Sequence, residues 1–206
     1  MPAAARPRGE NPSIDREKIE AIKQAVGGGG APVSGAAPGG MPAGPMPTAG
    51  GTLTIADVRF TPSKTWRFTH PSSAMRQAQY EIPGEAGPGE AVVYFFGTGQ
   101  GGDVEQNAQR WLDQFTPEAG AAPESKARET REVNGIKLTL VRTRGTYNSG
   151  MAMGGASEAH PGWALVGLIL ESPGGPVFMK ITGPAPTIAA ASAAIDELAN
   201  SLQLVH

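Results

Sequence analysis

Regular alternation of apolar and polar residues begins near Thr52 and from there reads as a series of strands. Leu53, Ile55 and Val58 open a β pattern. Thr65 to Thr69 alternates with Trp66 and Phe68 on one face. Pro71 ends that run, because proline lacks an N–H and disfavours helix at His70. Arg76 to Ile82 alternates cleanly, with Ala78, Tyr80 and Ile82 inward and Gln77, Gln79 and Glu81 outward. Ala91 to Phe96 is apolar throughout, the pattern of a central strand covered on both faces.

The period then changes. Val104, Ala108, Trp111, Leu112 and Phe115 fall on one stripe of a helix predicted over Asp103 to Phe115. Asp103 followed three residues later by Gln106 is a capping-box pattern. Lys126 to Val133 is charged and predicts an edge strand. Asn134-Gly135 is a two-residue hairpin signal leading into Ile136, Leu138 and Leu140. Residues Asn148 to Gly162 read as a loop rich in Gly and Met. Trp163 to Glu171 and Val177 to Thr182 predict a second hairpin, and Ile188 to Leu202 a final helix. Two hairpins and few crossovers predict an α+β domain: a mostly antiparallel sheet of about six to eight strands with two packed helices.

Upstream of Thr52 the pattern is different. Asn11 to Val26 predicts a short helix within a tail spanning residues 1–26. Gly, Pro and Ala fill all but five positions of residues 27–51, a composition too poor in apolar side chains to offset its ordering entropy. It is expected to be a disordered linker to a single domain over residues 52–206.

Composition narrows the function classes. The 206 residues contain no cysteine, which removes disulfides, thiolate catalysis and Cys-ligated metals. The formal net charge is -2 and acids interleave with bases, as in Arg128, Glu129, Arg131 and Glu132, so nucleic acid is not an expected partner. No apolar run is long enough for a transmembrane helix. Met1 to Glu10 has no apolar stretch of the kind a secretory signal needs, and the compartment stays open on these grounds.

The run Gly97-Thr98-Gly99-Gln100-Gly101-Gly102 matches G-x-G-x-x-G, the dinucleotide-binding pattern. That motif needs a βαβ unit and a third glycine inside the helix. Here Gly102 precedes the cap, Asp103 would oppose a pyrophosphate, and the next strand is charged. The run reads instead as a glycine turn feeding a capped helix. A second candidate joins Met151, Met153 and His160, soft ligands suited to Cu(I), with Met41 and Met46 in the linker as further thioethers. Packing of flexible thioethers in a Gly-rich loop is the competing account. No nucleophile elbow or metal-spaced histidine pair occurs, His70, His160 and His206 being isolated from one another. Neither a catalytic residue nor a cofactor is assigned.

Thr65-Trp-Arg-Phe, Pro71-Ser-Ser-Ala-Met-Arg-Gln-Ala-Gln, Tyr94-Phe-Phe-Gly-Thr-Gly-Gln-Gly-Gly, Gln109-Arg-Trp-Leu-Asp-Gln-Phe and Gly145-Thr-Tyr-Asn resemble a group of bacterial proteins without assigned activity, often exported. More loosely, the element order over Thr52 to His206 is similar to the PsbP-like fold, shared by the photosystem II extrinsic protein and a Ran-binding import factor. That resemblance implies an α/β/α sandwich and a binding or assembly role, while the likeness to the often-exported group implies the cell envelope or periplasm, the cytoplasm being the alternative; neither carries over a site residue.

Two classes of function stand after this reading. One is a non-enzymatic module that engages a protein partner through the Gly97–Gly102 and Gly150–Gly162 loops. The alternative is a small-molecule or copper binder using those loops; a nucleotide-binding enzyme comes third. A concave pocket would favour the small molecule, and a flat exposed apolar patch the protein partner.

Overall fold

The computed structural model describes residues 50–118, 126–149 and 158–205. The predicted helix over residues 11–26, the linker up to residue 49, Met151, Met153 and His206 lie outside the described residues.

Eleven strands and three helices are described. A hairpin of β1 (Leu53–Ile55) and β2 (Val58–Phe60) pairs with the last strand, β11 (Gln203–Leu204), as a small three-stranded sheet. The large sheet contains β3 (Arg67–Thr69), β4 (Arg76–Ile82), β5 (Gly89–Phe95), β6 (Phe115–Thr116), β7 (Lys126–Val133), β8 (Ile136–Ser149), β9 (Glu158–Glu171) and β10 (Val177–Pro184). Its order is β3-β4-β5-β10-β9-β8-β6, with β7 pairing the first half of β8 and β6 the second. Every strand pairing among the described residues is antiparallel. The domain is α+β, and no strand on either side of the glycine run forms a βαβ unit.

One face of the large sheet packs on the small sheet, α2 (Ala185–Ala190) and α3 (Ser192–Asn200), burying Phe60, Trp66, Tyr80, Leu138, Leu168, Leu170, Met179 and Ile195 in one continuous core. Among the described residues, the helix on the other face is α1 (Val104–Asp113). Beneath α1 a smaller core joins Ala108, Trp111 and Phe115 to Val141, Leu165, Ile169 and Phe178. Gly167 makes this seat: a Cβ there would lie 2.4 Å from the Trp111 ring. The hairpin at Asn134-Gly135 has φ +48° and +80°, the paired left-handed conformation of a type I′ turn.

The structure corrects four expectations. Within the Asn148–Gly162 loop the described residues are strand: β8 runs on to Ser149 and β9 starts at Glu158, with Tyr147 opposite His160 and Ser149 opposite Glu158. The ladder shifts register between Gly145 and Tyr147, opposite Pro161 and Gly162, which is where a sheet tolerates a proline. The helix over Asp103 to Phe115 ends at Asp113, and Phe115 belongs to β6. The final helix is two helices meeting at Ala191, whose ψ of -2° changes the chain direction so that Ile188, Ile195 and Leu198 all reach the same core. Finally, Ala91 to Phe96 is covered on both faces only as far as Val93; Tyr94 is half-buried and Phe96 is 43% exposed. A helix of 10 residues cannot cover the whole face, and the part left open is the site described next.

Candidate functional site

Because α1 sits over β8 and β9, the sheet beside it is left as the floor of a cleft of about 640 Å³. The floor is β10, which alternates: Val177, Met179 and Ile181 enter the large core, while Phe178, Lys180 and Thr182 face the cleft. On one side β4 and β5 contribute Arg76, Glu90, Tyr94 and Phe96. On the other, β8 and β9 contribute Tyr147, Ser149, His160 and Trp163. The wall is the α1 face bearing Asn107, Arg110, Trp111 and Gln114.

Among the described residues, Lys180 is the only lysine lining this cleft. Its Nζ donates to Gln114 Oε1 at 2.5 Å and to Tyr147 OH at 3.0 Å, and lies 4.8 Å from the Tyr147 ring centroid. Gln114 is the C-cap of α1, so its amide is held at the end of that helix. Burial pulls the Lys180 ammonium down to about 8, with Glu90 opposing the shift and Arg76 adding to it. Burial also raises the Tyr94 and Tyr147 phenols. Arg76 pairs with Glu90 at 2.9 Å, and Gln79 donates to the same carboxylate oxygen at 2.7 Å. Glu90 is therefore already occupied. Among the described residues neither Lys180 nor Arg110 has a carboxylate partner; Arg110 donates to Asn107 Oδ1 at 3.0 Å.

Two groups of aromatic rings flank Lys180. His160 stacks on Trp163 at 4.4 Å between centroids, and Trp163 on Tyr147 at 5.7 Å. Across the floor, Tyr94 and Phe96 stack at 6.2 Å with planes 11° apart. The cleft thus combines apolar walls with a few convergent polar groups, the general make-up of a small-molecule site.

The glycine run borders the cleft. Gly97, Gly99, Gly101 and Gly102 all have φ between +71° and +102°. Gln100 N–H closes a turn onto the Gly97 carbonyl at 3.0 Å, and Thr98 Oγ1 donates to the Gly174 carbonyl at 2.7 Å. A Cβ at Gly101 would stand 2.7 Å from the Phe178 ring, so that glycine lets the loop pack against the cleft floor. Asp103 caps α1 by accepting from Gln106 N–H at 3.0 Å. Asn107 Nδ2 donates to the Gly101 and Asp103 carbonyls at 2.7 and 2.9 Å. These bonds bind the loop to the start of α1, as a capped glycine turn requires.

Of the copper candidates, only His160 is described. It sits in β9, with Nε2 3.4 Å from Ser149 Oγ and 3.9 Å from a Glu158 carboxylate oxygen. Among the described residues no three His, Asp or Glu side chains come together as a metal cluster. No described helix is long and apolar enough to cross a membrane.

Sequence reasoning passed over Lys180, Arg76, Glu90, Tyr94 and Tyr147. The one local signal was a lysine inside Val177-Phe-Met-Lys-Ile-Thr182, an otherwise apolar central strand. Neither a scan of protein-family models nor a search of curated proteins returns a match to this chain.

Proposed function

We propose that this chain is a non-catalytic binding module that holds a small organic molecule in the cleft between α1 and β4, β5, β10, β9 and β8. The observation that carries the reading is the open half of the sheet: a concave cleft of about 640 Å³ floored by Phe178, Lys180 and Thr182 and walled by aromatic rings. The large hydrophobic side chains exposed among the described residues are Met75 and Phe96, too few for a broad apolar docking patch. Arg76 pairs with Tyr94 in the β4–β5 ladder, so Met75 and Phe96 lie at the same end of it, and Phe96 lines the cleft. We read the fold as PsbP-like, since a sheet with α1 on one face and α2 and α3 on the other has the layers that resemblance implies, and we place the protein in the cell envelope on the likeness to the often-exported group.

The test is a fragment screen followed by the indole N–H signals of Trp163, Trp111 and Trp66 in nuclear magnetic resonance spectra. Binders should move Trp163 and Trp111 and leave Trp66, which is 2% exposed in the other core, in place. Hits that leave Trp163 and Trp111 unmoved, or a screen with no hits at millimolar concentration, would overturn the proposal.

A further inference from the structure

We infer that the ligand of this cleft is a planar aromatic carboxylate, its anionic end held by Lys180 and Arg110 and its ring packed against the aromatic side chains that flank them. The inference rests on the cleft reading above and adds the charge and shape of the occupant.

Charge comes first. Among the described residues, three permanent or near-permanent cations line the cleft, Arg76, Arg110 and Lys180, against one carboxylate, Glu90. Arg76 and Glu90 neutralise each other at 2.9 Å. What is left over is positive and divided between the floor and the rim. Lys180 is half-buried on the floor and Arg110 exposed on α1. A half-buried ammonium whose described partners are a neutral amide and a phenol carries a desolvation cost that an incoming anion would relieve. Its geometry leaves room for one. An ammonium has three N–H donors, and two are committed to Gln114 Oε1 and Tyr147 OH. The third is available to a carboxylate oxygen, while the forked guanidinium of Arg110 suits the same group from the rim.

Shape comes second. In strand order β10 lies between β5 and β9, so Lys180 stands between the two sets of stacked rings. Tyr94 and Phe96 are nearly coplanar in orientation, and His160, Trp163 and Tyr147 form a continuous stack within 30° of one another. Two flat apolar surfaces on either side of one cation favour a flat apolar body with one negative end, and disfavour a polyvalent anion. A polyphosphate would have to sit against the Glu90 carboxylate and bury its charge among rings.

The experiment compares 2-naphthoate, 2-naphthalenemethanol and 2-naphthylmethylamine, matched in ring and differing in charge, by isothermal titration and by the Trp163 indole signal. The carboxylate should bind about ten- to a hundredfold more tightly than the alcohol, the difference a charge-assisted hydrogen bond makes, and the amine more weakly still. Lys180→Met and Arg110→Gln should each reduce that preference, whereas Lys180→Arg should keep most of it. Equal affinity for carboxylate and alcohol would overturn the inference while leaving the cleft reading intact. Absence of binding by all three would overturn both. A carboxylate preference that survives the double variant Lys180→Met/Arg110→Gln would also overturn it, since the anion would then be held elsewhere. The three-probe comparison on the unaltered protein decides the matter even where a variant fails to fold.

Discussion

The two faces of the large sheet are made from the same strands and finished in opposite ways. One face is closed by α2, α3 and the small sheet except at a cleft of about 380 Å³ beside Arg142 and Arg144, and its strand residues Ile136, Leu138, Leu168 and Leu170 are 0% exposed. The other is half closed by α1, and the uncovered half carries a lysine, an Arg–Glu pair and stacked rings. A single strand serves both, because successive side chains of β10 point to opposite faces. The sealed face can carry the stability of the domain, which frees the open face to hold polar groups that a well-packed core would not tolerate.

Variants on the two faces should separate these roles. Leu168→Ala, on the sealed face, should cost about 2–5 kcal/mol in urea unfolding and leave naphthoate affinity of the folded protein unchanged. A loss near zero would break the comparison outright. Gly167→Ala, under α1, puts a Cβ 2.4 Å from the Trp111 ring. It should cost about 1–3 kcal/mol and weaken ligand binding as well, because α1 forms a cleft wall. Unchanged stability and an unmoved Trp111 indole signal would show that α1 is seated loosely.

The smallest effect is in the pH profile. The folded-state value for Lys180 is about 8, below an unfolded value of about 10.4. Between the two the unfolded chain holds more protons, so the Lys180 contribution to stability rises as pH climbs from about 8 toward 10. Glu90 works against this and Arg76 with it. Tyr80, raised by burial to about 12, acts in the opposite sense only above its unfolded value near 10, which bounds the usable window. Urea midpoints at pH 7.5, 8.5 and 9.5 should rise less in Lys180→Met than in the unaltered protein. Parallel profiles would mean the ammonium is well solvated, and the contrast between the faces would lose its sharpest term.

Much of the fold was legible because local signals agreed. The alternation over Arg76 to Ile82 coincides with β4, Asn134-Gly135 makes the hairpin it predicts, and Asp103 caps α1. The errors fall where tertiary pairing overrides local pattern. Glu158 to Gly162 is polar and contains Pro161, yet the long partner strand β8 supplies its backbone hydrogen bonds. β11 is two residues long and exists through its ladder with β2. Nothing in the alanine-rich run before Ile195 marks a break at Ala191. The site was almost wholly illegible for a different reason. Arg76, Glu90, Gln114, Tyr147, Trp163 and Lys180 come from six elements with no fixed spacing, and each alone resembles an ordinary strand or helix residue. Only the sheet order brings them together.

The small sheet has a consequence for how the domain comes into being. Its ladder joins the first hairpin to β11, and Asp57 in that hairpin's turn both takes a backbone bond from Val205 and grips Ser172 and Gly174 at the β9–β10 turn. Leu202, just before β11, is 0% exposed. A nascent chain therefore cannot finish this layer until β11 has left the ribosome, and loss of β11 would unfasten the first hairpin of the domain as well.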